Sequence, residues 1–223
     1  MSARERILDA IRISLKRGPL GQAAKAAADA RLHQPRAHIV PARAQRPHHE
    51  QVALFIAMAR EASASLVEIQ DREAVPEAVA AFLARHTLPP RLVAAPELDV
   101  DWRRAPMLDV SHALPTPTEP VAVTACFAGI AETGSVVLLS GPGSPTSLNF
   151  LPDNHVVALR TGDVLGTMED LWIRLRALER GLPRSVNMIT GPSRTGDIEQ
   201  TLQLGAHGPR RLHIVLVHDR PPA

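Results

Sequence analysis

Residues 121–144, VAVTACFAGIAETGSVVLLSGPGS, decide the fold. The apolar runs 121–130 and 135–140 are short and rich in Val, Ile and Leu, so each reads as a strand. Glu132, Thr133 and Gly134 interrupt them, and Gly141-Pro142-Gly143-Ser144 forces a turn after them. Upstream, 52–63 reads as a helix, 66–69 as a strand, 73–86 as a helix and 91–95 as a strand. The segment 98–120 is irregular and proline-rich. Downstream, 156–159 is a strand and 164–180 a helix closed by Gly181 and Pro183. A strand over 186–190, a short helix over 197–204 stopped by Gly205, and a strand over 212–217 complete the pattern. Helices alternate with strands early and late, with strands clustered between. That pattern predicts an α/β three-layer sandwich with a mixed, largely parallel sheet.

The chain has 223 residues, 45% of them hydrophobic, enough for one sizeable core. Aromatics are only 3%, with no tyrosine, so packing rests on Ala, Val, Leu and Ile. Ile7, Leu8, Ile11 and Leu15 recur at helical spacing. A second helix is compatible with 21–32, and 35–47 reads as linker. Residues 1–50 form a basic arm with ten Lys/Arg against four Asp/Glu, whereas 51–223 hold fifteen against nineteen and form the domain proper. The arm lacks the interleaved aromatics of a single-strand binder and any DNA-binding motif. Nucleic acid is therefore not an expected partner; a solvated arm or an acidic protein partner is. His33, His38, His48 and His49 have no accompanying carboxylate cluster, so no metal site is expected.

The single cysteine, Cys126, excludes a disulfide framework, an internal iron–sulfur cluster and a Cys-rich zinc site. Its apolar run marks it as a buried small hydrophobe. No stretch is apolar enough to span a bilayer, and the N-terminus has no secretory h-region, so a cytoplasmic protein is expected.

Two glycine-punctuated segments carry the candidate site. In 189–209, Gly191-Pro192 forces a turn, and Ser193, Thr195 or Asp197 can cap the helix that follows. Asp197 with Gln200 fits a capping-box variant. A strand, a tight turn and a helix N-terminus make an anion site, with Arg194 adding charge. An ordinary capped βα turn reads equally well. Gly141, Gly143 and Ser144 form either a backbone nest for an anion or a hairpin turn. Glu132, beside Thr133, Gly134 and Ser135, is a candidate nucleophile or base, or a solvated turn residue. His155 opens a strand, and His207 lies between glycines, where a general acid–base or a loop-fixing histidine fits. Ser193, His207 and Asp197 do not make a hydrolase triad, because no GxSxG elbow is present. The candidate catalytic groups are thus Glu132, His207 and Asp197. The ligand-binding candidates are Thr133, Gly134, Ser135, Gly141, Gly143, Ser144, Gly191, Ser193 and Thr195.

Three blocks in order, AETGSVVLLS, SPTSLNFLPDNHVVAL and ITGPSRTGDIEQTLQLGAHGPRRLHIVLV, resemble the LUD domain of the lactate utilisation protein C (LutC/YkgG) family. The resemblance is weakest between residues 18 and 120. It implies a fold like the NagB/RpiA/CoA-transferase group. It also implies a role in oxidising L-lactate to pyruvate alongside two iron–sulfur partner proteins, with no cofactor in this chain. The expected ligand is a small anionic metabolite, and a homodimer is left open. Fold relatives include CoA transferases in which a glutamate near a glycine attacks the acyl group, so Glu132 invites a second reading. That is a stand-alone acyl-transfer or sugar-phosphate enzyme. A third is a non-catalytic scaffold docking through the arm.

Overall fold

A computed structural model describes residues 2–33, 35–37, 39–116, 118–196 and 203–218. The chain divides into two compact units, Met1–Ile39 and Val40–Ala223. The first holds α1 (Ala3–Ser14) and α2 (Gln22–His33). A capping box opens α1: the Ser2 hydroxyl accepts the Glu5 amide, and the Glu5 carboxylate accepts the Ser2 amide. Ile7, Ile11 and Leu15 share a face as their spacing predicts, and all are exposed.

The second unit is built on a six-stranded sheet. Its strands are β1 (Ser65–Ile69), β2 (Arg91–Ala94), β3 (Asp109–Ser111), β4 (Val121–Ala125), β7 (Asn154–Arg160) and β12 (Arg211–Val217). Their spatial order is β1-β12-β7-β4-β2-β3, and every pair is parallel. Such a sheet is covered on both faces, which is why β12 reads as a continuous apolar run. Leu212, Ile214 and Leu216 face α3 (His48–Glu61), while Val215 and Val217 face α4 (Val75–Arg85). Phe55 of α3 is fully buried; truncating such a ring costs about 3–5 kcal/mol.

A four-stranded sheet packs over the α3 face. It contains β5 (Ala128–Ile130), β6 (Ser135–Leu139), β8 (Val164–Leu165) and β9 (Val186–Ile189), in the order β8-β5-β6-β9. Val136 and Leu138 of β6 point toward the large sheet. Val137 and Leu139 point the other way, onto Leu171 and Leu175 of α6 (Met168–Arg176). A short helix, α5 (Ser147–Phe150), adds Leu148 to the α4 side of the core. The α/β architecture with a mixed, largely parallel arrangement of strands is the one the sequence predicts.

Several elements differ from expectation, among them β3, which falls within the segment 98–120 read as irregular. The run 121–130 is two strands in two sheets. The Cys126 amide still bonds across the large sheet to the Ala158 carbonyl at 2.9 Å, but the Phe127 amide turns to Val137 of the small one at 2.8 Å. The Cys126 thiol fixes the bend by donating to the Ala128 carbonyl at 3.0 Å. The expected helix 164–180 begins instead with β8, because the capping box that starts α6 is Thr167 with Asp170. Of the expected helix 197–204, residues 197–202 lie outside the described residues. Gln203–Leu204 is β11, paired antiparallel with β10 (Arg194–Thr195).

Candidate functional site

The strand order reverses between β2 and β4. The chain leaving β2 turns outward to β3, and the chain leaving β4 turns back through the small sheet to β7. In open parallel sheets the crevice beyond the carboxyl ends of two such strands is the preferred ligand site. Here it holds a cavity of about 270 Å³ lined by Glu97, Ala125, Cys126, Phe127, Leu139 and Arg180. The Gly141–Ser144 turn is tied to its wall, since the Glu97 amide donates to the Gly143 carbonyl at 3.2 Å. The turn is closed by the paired amides and carbonyls of Gly141 and Ser144. The buried Ser144 hydroxyl has no partner among the described residues. Phe127 is held under the Arg174 guanidinium at 4.7 Å, and Arg174 is bonded to Asp163 at 2.6 Å. Cys126 is half-buried on the cavity wall rather than fully buried as its apolar run suggests, and desolvation pushes its thiol up to about 12, which disfavours the thiolate. One exposed guanidinium, Arg180, and one exposed carboxylate, Glu97, are thus the charges on this cavity.

The structure separates the residues expected to form one pocket. Ser135 begins β6 and Gly141 follows its end, so the two loops are on the order of 20 Å apart along the strand. Glu132 is buried, 7% exposed. Its Oε1 accepts the Met168 amide at 2.8 Å, at the N-terminus of α6, where a carboxylate is favoured by the helix dipole. Its carbonyl accepts from the Arg43 guanidinium at 2.6 Å, and its Oε2 is buried without a partner among the described residues. Thr133, Ser135 and Thr190 form a hydroxyl chain with links of 2.7 and 2.6 Å.

Gly134 and Gly191 both have positive φ, +67° and +71°, and both press on the last turn of α3. A Cβ on Gly134 would collide with the Ala59 backbone, and one on Gly191 with the Ala62 carbonyl. Ser193 is joined to the His207 loop: its amide donates to the Pro209 carbonyl at 2.9 Å, and its carbonyl accepts the Gly205 amide at 3.0 Å. His207 is exposed, and its amide reaches the Ser193 hydroxyl at 3.4 Å. Thr195 is buried in β10, and Asp197 lies outside the described residues. His155 is fully buried on β7, with Nε2 2.8 Å from the Thr124 hydroxyl. Burial pushes its pKa down to about 3, which fixes it as a neutral core imidazole. Among the described residues, no group of three or more His, Cys, Asp or Glu is arranged to hold a metal ion. No described helix is long and apolar enough to cross a membrane.

Glu97 and Arg180 have no sequence signal of their own. Their place on the cavity follows from strand order, which local spacing does not encode.

The fold and crevice define an α/β protein with a parallel sheet open at its carboxyl edge. Residues 119–217 match the family model of the LUD domain, and the chain is similar over part of its length to several proteins named lactate utilization protein C. It is 34% identical over 122 residues to lactate utilization protein C of Exiguobacterium sp., covering 53% of each chain. It is 36% identical over 104 residues to the protein of the same name from Halalkalibacterium halodurans, covering 45% of each. It is also 38% identical over 89 residues to an uncharacterized protein of Neisseria meningitidis serogroup B, covering 40% of this chain and 38% of that one. The chain thus spans about half or less of the curated relatives it matches. A crystal structure of a DUF162 family protein from Deinococcus radiodurans shares the fold. Its TM-score is 0.52 at 22% identity, covering 77% of this chain and 99% of that one.

Proposed function

We propose that this chain acts in lactate utilisation by binding a small hydroxy- or keto-carboxylate, lactate or pyruvate, in the crevice beyond β2 and β4. The observation that carries the reading is the cavity of about 270 Å³ where the strand order reverses. All of its lining residues except Glu97 fall within the matched segment 119–217. A monocarboxylate needs one counter-charge, and Arg180 supplies it with a planar fork suited to a carboxylate. Glu97 offers an acceptor for the hydroxyl of lactate. The apolar wall of Ala125, Phe127 and Leu139 suits the methyl group. Partner proteins carrying iron–sulfur clusters would take the electrons of lactate oxidation, and this subunit would hold the substrate or product. Relatives named for lactate utilisation support this reading. Calorimetric titration of L-lactate and pyruvate tests it: binding that is weakened in Arg180→Ala supports the site. No heat with either acid, with or without partners, contradicts it.

A second reading has Glu132 as an acyl-transfer nucleophile, favoured by its buried, unpartnered Oε2. Against it, Oε1 is engaged at the start of α6, and Glu132 lines none of the cavities described here. Hydroxylamine trapping after incubation with an acyl-CoA decides between them: a hydroxamate at Glu132 supports acyl transfer, and an unmodified Glu132 removes it.

A further inference from the structure

The opposite edge of the large sheet carries a different surface. At the amino ends of β1 and β12 lies a cavity of about 370 Å³ lined by Ser63, Ser65, His86, Arg194, Arg210 and Arg211, with Pro192, Leu204 and Leu212. Ser65 and His86 also line an adjacent cavity of about 360 Å³, walled by Ala78, Ala81 and Phe82 with Arg85 and His213 at its side. Among the described residues no carboxylate lines either half.

The cationic side chains are held by neutral groups. The Arg194 guanidinium donates to the Ala62 carbonyl at 2.6 Å, and that of Arg211 to Asn154 Oδ1 at 3.1 Å. Arg85 and Arg210 form no ion pair among the described residues. Burial is the main influence on the two histidines here, with the neighbouring cations adding to it. Burial, with Arg211 and Arg85 nearby, holds the His86 pKa below its ordinary value. His213, stacked on Phe82 at 4.5 Å with Nδ1 2.8 Å from the Ser65 hydroxyl, is pushed down to about 4.

Clustered guanidiniums without counter-charges repel one another, and a bound anion removes that cost. A monocarboxylate would leave most of the charge unmatched. A phosphate ester or diphosphate offers two or more charges and an array of acceptors for several guanidinium forks. We propose that this cleft is an organic-phosphate site, distinct from the carboxylate crevice. Its phosphates sit among Arg194, Arg210, Arg211 and the Ser63 and Ser65 hydroxyls. The less polar part of the ligand lies along Ala78, Ala81 and Phe82.

The test uses inorganic pyrophosphate as the probe with the full chain at low ionic strength, where exposed charges are least screened. Pyrophosphate binds with a dissociation constant of about 1 mM or below, while inorganic phosphate binds more weakly. Arg210→Ala weakens it about tenfold, and Arg210→Ala with Arg211→Ala abolishes it. Histidine Cε1–H resonances give a readout that a merely structural role would not move: the His86 pKa rises when pyrophosphate is bound. Adenosine diphosphate, which adds an apolar face, binds more tightly than pyrophosphate. No pyrophosphate binding, or binding unchanged in the double variant, overturns the proposal. A short RNA that displaces pyrophosphate and binds far more tightly than adenosine diphosphate overturns the small-molecule reading in favour of a nucleic-acid surface. Arg180 takes no part in any of these outcomes, so they do not depend on the carboxylate reading.

Discussion

At the carboxyl edge of β2 and β4, one guanidinium shares about 270 Å³ with one carboxylate; at the amino edge of β1 and β12, three guanidiniums share about 370 Å³ with no described acid. On the two proposals made above, the same sheet would present two anion sites of different valence. The difference comes from what the chain brings to each edge. The turn after β6 delivers backbone and small residues to the first. The segment after β9 delivers Arg194 to the second, where Arg210 and Arg211 enter β12.

The largest expected effect comes from the glycines that fix the two edges. Gly191→Ala forces an L residue to φ +71° and drives a methyl into the Ala62 carbonyl, beside the anchor of Arg194. We expect a loss of about 2–5 kcal/mol in urea unfolding. Gly143→Ala at the carboxyl edge, where φ is not positive, meets Glu97 alone, at Cβ (3.1 Å) and the amide nitrogen (3.4 Å). Its cost should stay within about 1 kcal/mol. Equal costs would break the contrast in how rigidly the two edges are built.

Acid should act on the core between the edges. The folded pKa of His155 is depressed to about 3, so the unfolded chain binds a proton first. Stability is complete above the unfolded value near 6.5 and is lost as pH falls toward 3. At about two units below the unfolded value the loss approaches ~2.5 kcal/mol. His213 contributes in the same direction down to about 4. Denaturant midpoints measured across that range should fall in the native chain and fall less steeply in His155→Gln, which keeps the His213 contribution. A parallel fall in both would assign the acid sensitivity elsewhere.

Arg180→Ala should lower lactate affinity about tenfold with no change in melting temperature, because the side chain is exposed. A similarly small effect belongs to Thr167→Ala. Removing the cap of α6 costs about 1 kcal/mol in unfolding experiments and leaves both anions bound.

Much of the architecture is legible in residue pattern. The runs that become β1, β2, β6, β9 and β12 are short and apolar, and α3 and α4 carry clear periodicity. The bend at Cys126 is not legible, because 121–130 stays apolar while its hydrogen bonds pass from one sheet to the other. The start of α6 was open to reading through Thr167 and Asp170, but the apolar pair Val164-Leu165 looked like its first turn. The candidate site was less legible. Gly191 reads as a turn and Gly134 as a break between strands, and the structure sets both at positive φ against the end of α3. Arg210 and Arg211 read as charges beside a strand, and only the parallel register with β1 brings them to Ser65.

The most direct test of two anion sites on one sheet is an amide NMR titration with L-lactate and pyrophosphate, added singly and together. The account predicts that lactate shifts Cys126, Gly141 and Gly143, that pyrophosphate shifts Ser63, Ser65 and Leu212, and that both sets persist in the mixture. Displacement of one anion by the other, or a shared set of shifted residues, would contradict it.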